Sequence, residues 1–238
     1  RGAVRSPRRG WAAGAPGGKA RTCWHLAQGA AGLVAASHRL SPQMHMVARV
    51  AETLGIPCVI HTAGGESDQI EDARRHDAKF VRHTPGYNNV LIARARADAE
   101  ARGWREIPFG MESQAAVDLT ARQVGVLPEG VRRIVVSVGM GISLAGIVRG
   151  LDNKKMPHPV LAVAVGTKRP ERFIDKWAPE GWRDRVELVR SPREYHDLVH
   201  AEVDGVRLDP VYEAKCVEFM RPGDMLWIIG IRASLVAP

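Results

Sequence analysis

The chain has 238 residues, 45% of them hydrophobic, enough to bury a sizeable core as one large domain or two small ones. Its formal net charge of +8 reads first as a solvated basic N-terminus and, more sharply, as suited to a phosphate-bearing or polyanionic substrate, but the absence of zinc-ligand spacing and the scarcity of aromatics argue against a nucleic-acid module. No apolar run is long enough to span a bilayer, and Cys23, Cys58 and Cys216 form neither a metal pattern nor a disulfide framework, so the expected compartment is a reducing cytoplasm.

The basic residues Arg1, Arg5, Arg8, Arg9, Lys19 and Arg21 come first, with no acid among them. Within this stretch, Pro16-Gly17-Gly18-Lys19-Ala20-Arg21 is a glycine turn that sets a lysine at the head of a helix. Leu33–Ser37 reads as a strand, followed by a helix from Pro42 to Leu54 that Gly55-Ile56-Pro57 ends. Cys58–Thr62 is the next strand, 68–76 a helix, Lys79–Thr84 a strand and Tyr87–Arg102 a long helix. A short strand at 106–109 leads to a helix near 113–124, and Arg133–Val138 is a strand of β-favouring residues. Strands at 159–165, 185–189 and 225–229 and a helix at 211–220 complete the pattern. Strands alternating with helices at this spacing predict parallel α/β architecture.

The most informative run is Ile134–Gly146. A strand enters a turn with glycines at 139 and 141, and Ser143 opens a helix. Free backbone N–H groups and the positive end of the helix dipole converge there, and glycine lets an anion approach closely. The run has neither the lysine of a P-loop nor the spacing of a dinucleotide fingerprint, so a single phosphate group is the expected occupant. A lysine amine in a chain that also carries a phosphate cup is what pyridoxal 5′-phosphate (PLP) requires.

On these residues the chain resembles the fold-type II PLP-dependent enzymes, in particular 1-aminocyclopropane-1-carboxylate (ACC) deaminase and its relative D-cysteine desulfhydrase. Gly17-Gly18-Lys19-Ala20-Arg21 is similar to that family's lysine motif, Gly-Gly-Asn-Lys-x-Arg. Ile134–Gly146, continued by Ile147–Leu151, is similar to its phosphate loop and the helix that follows. Leu208-Asp209-Pro210-Val211-Tyr212-Glu213-Ala214-Lys215 is similar to its Asp-Pro-Val-Tyr-Glu/Thr-Gly-Lys and is the most specific of the three.

The resemblance implies two parallel α/β domains with the cofactor in their cleft: a smaller one over 22–105, and a larger one over 1–21 plus 106–238. It also implies roles for individual residues. Lys19 would carry PLP as a Schiff base, and Gly139, Met140, Gly141, Ile142 and Ser143 would hold its phosphate. Glu213 would face the pyridine nitrogen, Tyr212 would lie beside the substrate, and Ser41 would hold the substrate carboxylate or move a proton. The family's asparagine beside the cofactor is Pro42 here, and Gln43 is the expected substitute. Read without the resemblance, Tyr212 fits a core aromatic, Glu213 an exposed acid at a helix start, and Ser41 an N-cap ahead of Pro42.

The implied activity is a lyase or deaminase acting on an amino acid or amino-acid-like small molecule, in a cytoplasmic homodimer. Two alternatives stand beside it. One is a PLP enzyme modifying an amino-acid-bearing nucleotide or DNA base. The other is a catalytically inert binder of PLP or another phosphate ligand.

Overall fold

A computed structural model describes residues 17–230. Arg1–Arg9, Trp11 and Pro16 of the N-terminal stretch, and the residues after Gly230, lie outside them. The chain divides into two compact units, which among the described residues run over 17–112 and 113–230.

The N-terminal unit opens with helix α1 (Gly18–Ala27) and continues β1 (Leu33–Ala36), α2 (Gln43–Leu54), β2 (Cys58–Ala63), α3 (Asp68–Arg74), β3 (Lys79–His83), α4 (Asn88–Arg102) and β4 (Arg105–Ile107). Its sheet is parallel in the order β3-β2-β1-β4, with Val34 opposite Val59. Successive strand residues serve opposite faces. Leu33, Ala35 and Ile60 pack on Met44, Val47 and Ile70 of α2 and α3, and Val34 and Val59 pack on Leu91, Ala95 and Ala99 of α4. Local chemistry sets the helix ends. Ser67 Oγ accepts from Ile70 N at the start of α3, and Gly55 ends α2 with φ 67°, returning its N–H to the last turn. Cys23 and Ala27 of α1 join the same core as α2, so residues 18–21 sit in the unit that the sequence reading began at 22.

The C-terminal unit comprises α5 (Gln114–Gln123), β5 (Arg133–Val138), α6 (Ile142–Asn153), β6 (Val160–Ala164), α7 (Glu171–Trp177), β7 (Val186–Arg190), the antiparallel hairpin β8 (Glu202–Val203) and β9 (Val206–Arg207), and β10 (Asp224–Trp227). Its main sheet is parallel in the order β10-β5-β6-β7. Ile134, Val136 and Val138 pack on Leu144, Ile147 and Leu151 of α6, while Val135, Leu161 and Val163 face Ala214 and Cys216. Gly146 and Gly150 let α6 lie directly on α5: a Cβ at Gly146 would stand 2.8 Å from Val117 O, and one at Gly150 2.5 Å from Ala121 O. Arg133 grips Asp224 with two charge-assisted bonds of 3.0 and 2.6 Å, pinning the start of β5 to that of β10.

Three expectations change. The helix expected at 211–220 is a 3₁₀ run, Glu213–Phe219, whose three-residue period lines up Glu213 and Cys216 on a buried face. The strand expected at 106–109 ends at Ile107, because Pro108 has no N–H for a ladder and starts a 3₁₀ turn over Phe109–Met111. Helix α7 and the β8–β9 hairpin were not anticipated; their segments are short and carry weak periodicity. No helix among the described residues is long and apolar enough to cross a membrane.

Candidate functional site

In the C-terminal unit, the candidate residues gather along the carboxyl ends of β10, β5 and β6, where open parallel sheets present ligand sites. After Val138 the chain turns through Gly139 and Met140, and Gly141, at φ 77°, opens α6. Only glycine takes that backbone without strain. It is also confined: a Cβ there would lie 2.5 Å from Ile174 Cγ1. Because the helix cap is a glycine, no side chain caps the twelve-residue helix α6. Its first N–H groups and its dipole are therefore left for an external anion. Ser143, half-buried on the first turn, adds a hydroxyl.

Tyr212 packs over the loop, where a Cβ at Gly139 would sit 3.4 Å from Tyr212 Cε1. The Asp209-Pro210-Val211-Tyr212 turn is shaped by Asp209, whose Oδ1 accepts from Val211 N at 2.8 Å and Tyr212 N at 3.0 Å. This closes the turn and delivers Glu213 into the interior, where it is 2% exposed. Glu213 Oε1 accepts from Ile229 N at 3.0 Å, which places the carboxyl at the end of β10. Burial first, and then the nearby Asp209 charge, push its pKa up to about 8, against the pull of backbone N–H donors. An exposed acid at a helix start is therefore not what Glu213 is.

Tyr195 joins this wall, which the sequence reading missed. Its ring meets Tyr212 edge-on at 5.8 Å and covers Gly166 after β6, where a Cβ would lie 2.8 Å from Tyr195 Cδ2. Lys215 holds it there. Fully buried, Lys215 Nζ donates to Glu194 O at 2.6 Å and Tyr195 O at 3.4 Å, and burial lowers its pKa. A lone tyrosine in the polar stretch 190–197 gives no periodic signal; the tyrosine after Pro210 was legible only through its motif.

In the N-terminal unit, Lys19 is the second residue of α1 and half-buried. Ser41 Oγ accepts from Gln43 N at 3.3 Å, at the start of α2. Gln43 is buried. Its amide donates to Pro108 O at 2.9 Å and accepts from Gly110 N at 2.8 Å, locking the start of α2 to the Phe109–Met111 turn. Those bonds occupy the side chain that was expected to replace the family asparagine. His45, three residues after Pro42, is directed into the core between α2 and α3, 5.4 Å from the His76 ring, with its pKa lowered to about 4 by burial.

The residues of the C-terminal unit fit a phosphorylated pyridine ring. The helix start has no side-chain cap of its own, and Glu213, at the end of the neighbouring strand β10, offers a buried carboxyl whose pKa is raised and which a cationic nitrogen would stabilise as a carboxylate.

No protein-family model and no curated protein matches the sequence. Solved structures are similar. The crystal structure of an ACC deaminase homologue matches 93% of this chain and 81% of its own, with a TM-score of 0.76 and 21% identity. O-ureido-L-serine synthase matches 91% of this chain and 79% of its own, at TM-score 0.65 and 16% identity. A pyridoxal 5′-phosphate-dependent aspartate racemase matches 94% and 82%, at TM-score 0.64 and 16% identity. Backbone likeness of this extent, at such identities, establishes architecture: the chain has the mixed α/β fold, with two parallel sheets, of the fold-type II PLP-dependent enzymes.

Proposed function

We propose that this protein is a PLP-dependent enzyme of the lyase or deaminase kind, acting on an amino acid or amino-acid-like substrate. The observation that carries the reading is the pairing, at the carboxyl ends of the neighbouring strands β5 and β10, of an uncapped helix start with a buried Glu213 whose pKa is raised. The similar structures support the general kind, one being named for an ACC deaminase homologue and another for a pyridoxal 5′-phosphate-dependent aspartate racemase. The three cysteines are buried free thiols, in keeping with a reducing, cytoplasmic setting, and we place the enzyme there as a homodimer.

When bound, PLP supplies a conjugated electron sink for negative charge at the substrate Cα. The chain's own residues would do the rest. The backbone N–H groups from Gly139 to Ser143, with Ser143 Oγ, would hold the phosphate. Lys19 Nζ would anchor the cofactor and, once free, move a proton at Cα. Glu213 would give up its proton opposite the ring nitrogen and keep that nitrogen cationic. Ser41 Oγ would donate to the substrate carboxylate. Tyr212, braced by Tyr195, would close one side and exclude water.

Equilibrium titration with PLP tests the cup. Ser143→Ala removes one donor to a charged group, worth about 1.5–3 kcal/mol, so affinity falls on the order of tenfold to a hundredfold. Gly141→Val, which strains the αL backbone and drives a side chain into Ile174, loses more. Unchanged affinity in both variants would move the phosphate elsewhere and overturn the reading.

A further inference from the structure

The N-terminal unit contains a cleft that the reading above leaves unused. A cavity of about 230 Å³ opens where the ends of β1, β2 and β3 meet the first turn of α4. Arg39, Arg94, His38 and His83 line it, with Tyr87 at its mouth, and no aspartate or glutamate does. Several other arginines of this unit hold carboxylates: Arg74 and Arg82 share Glu66, Arg96 holds Glu106, and Arg102 holds Asp98. Among the described residues, Arg39 and Arg94 have no acidic partner.

Arg94 instead donates to a neutral acceptor, His83 Nδ1, at 3.0 Å. An arginine only donates, so this bond fixes the direction of a longer chain. His83 Nε2–H then points at His61 Nδ1, 2.9 Å away, and His61 Nε2–H points at Asp98 Oδ2, 3.0 Å away. The two imidazoles stack with ring centroids 5.1 Å apart. Burial first, then His61 and Arg94, lower the His83 pKa, which keeps Nδ1 an acceptor. Arg94 is thus held over the cleft by a weak, uncharged partner that a carboxylate or phosphate would outcompete. Arg39, in the same lining, lies along Gly65, with its carbonyl accepting from Ser67 Oγ at 2.6 Å. The fifteen-residue α4 has no side-chain cap and turns its positive end to the same space. The loop that carries His38 and Arg39 also carries Ser41, whose N–H bonds His38 O at 2.8 Å.

We propose that this cleft binds an oxyanion, the distal acidic group of the substrate, so that the enzyme's substrate is an amino acid with a second carboxylate or a phosphate. This rests on the function proposed above for the other end of the substrate.

The test uses PLP-reconstituted protein. Calorimetric titration with succinate and with inorganic phosphate should show millimolar binding that weakens with added salt. Arg39→Gln and Arg94→Gln should each weaken it about tenfold, and Arg122→Gln, on α5, should leave it unchanged. Tighter succinate binding assigns a dicarboxylic amino acid, and tighter phosphate binding a phosphorylated one. Aspartate and O-phosphoserine should then perturb the cofactor absorbance at lower concentration than alanine, and Arg94→Gln should close that gap while leaving the cofactor band intact. Equal anion affinity in parent and both variants overturns the subsite, and so does a preference for acidic amino acids that survives Arg94→Gln. A parent protein that binds anions but takes up no PLP overturns the enzyme reading, a separate failure.

Discussion

Lys19→Ala protein should take up PLP without linking to it, and should lack the visible absorbance band of the lysine-bound cofactor. Borohydride reduction of the parent should leave PLP on the peptide that contains residue 19; in the variant it should leave none. The effect is all-or-none because one amine makes the bond, and the phosphate cup supplies only reversible affinity. The competing amine is Lys215, whose burial lowers its pKa toward a reactive free base. Its geometry argues against it. Nζ is committed to the carbonyls of Glu194 and Tyr195, and pulling it out would release the segment that props Tyr195 against Tyr212. Lys215→Met should therefore keep the linked cofactor and lose substrate turnover and thermal stability. A full visible band in Lys19→Ala that disappears in Lys215→Met would exchange the two assignments.

Much of the fold was legible because two periodicities were clean. Strands such as Arg133–Val138 are short β-branched runs bounded by turn residues, and helices such as 43–54 end at a glycine that takes the αL conformation. The phosphate-type loop could be read because the glycine at 141 has a local cause, the left-handed backbone, φ 77°, with which α6 opens. The rest depends on tertiary contacts. That Glu213 is buried cannot be read from its neighbours; Asp209 closes a turn that carries it inside, toward the end of β10. That Gln43 braces the fold was not legible either, because its partners Pro108 O and Gly110 N are 65 and 67 residues away in sequence. The Arg94–His83–His61–Asp98 chain unites residues from two strands and a helix, each with an unremarkable local sequence. Nothing in their spacing along the chain marks them as neighbours.

Glu213→Gln should bind PLP through Lys19 about as well as the parent, yet exchange the Cα proton of a bound amino acid more slowly, on the order of a hundredfold. Glutamine keeps the shape and the acceptor for Ile229 N but has no charge with which to hold a ring nitrogen cationic. Stability offers an independent readout. In the protein without cofactor the Glu213 pKa lies near 8, above its unfolded value of 4.5. The folded state therefore binds the extra proton, and the stability this contributes is complete below pH 4.5 and lost as pH rises to 8. Melting temperature should fall across that window, by an amount equivalent to a few kcal/mol, and Glu213→Gln should flatten the slope. A cationic nitrogen set against the carboxyl would draw its pKa back down, so loading PLP should flatten the slope in the parent as well. If loading leaves the slope unchanged while Glu213→Gln removes it, the carboxyl is buried as described but does not face the ring. Cα exchange in the variant would then match the parent, and Glu213 would be only the acceptor that ties the 3₁₀ run to the end of β10. Tyr212→Phe separates the remaining roles. It keeps the ring that covers Gly139 and the edge contact with Tyr195, so the cofactor spectrum should persist and only turnover should fall.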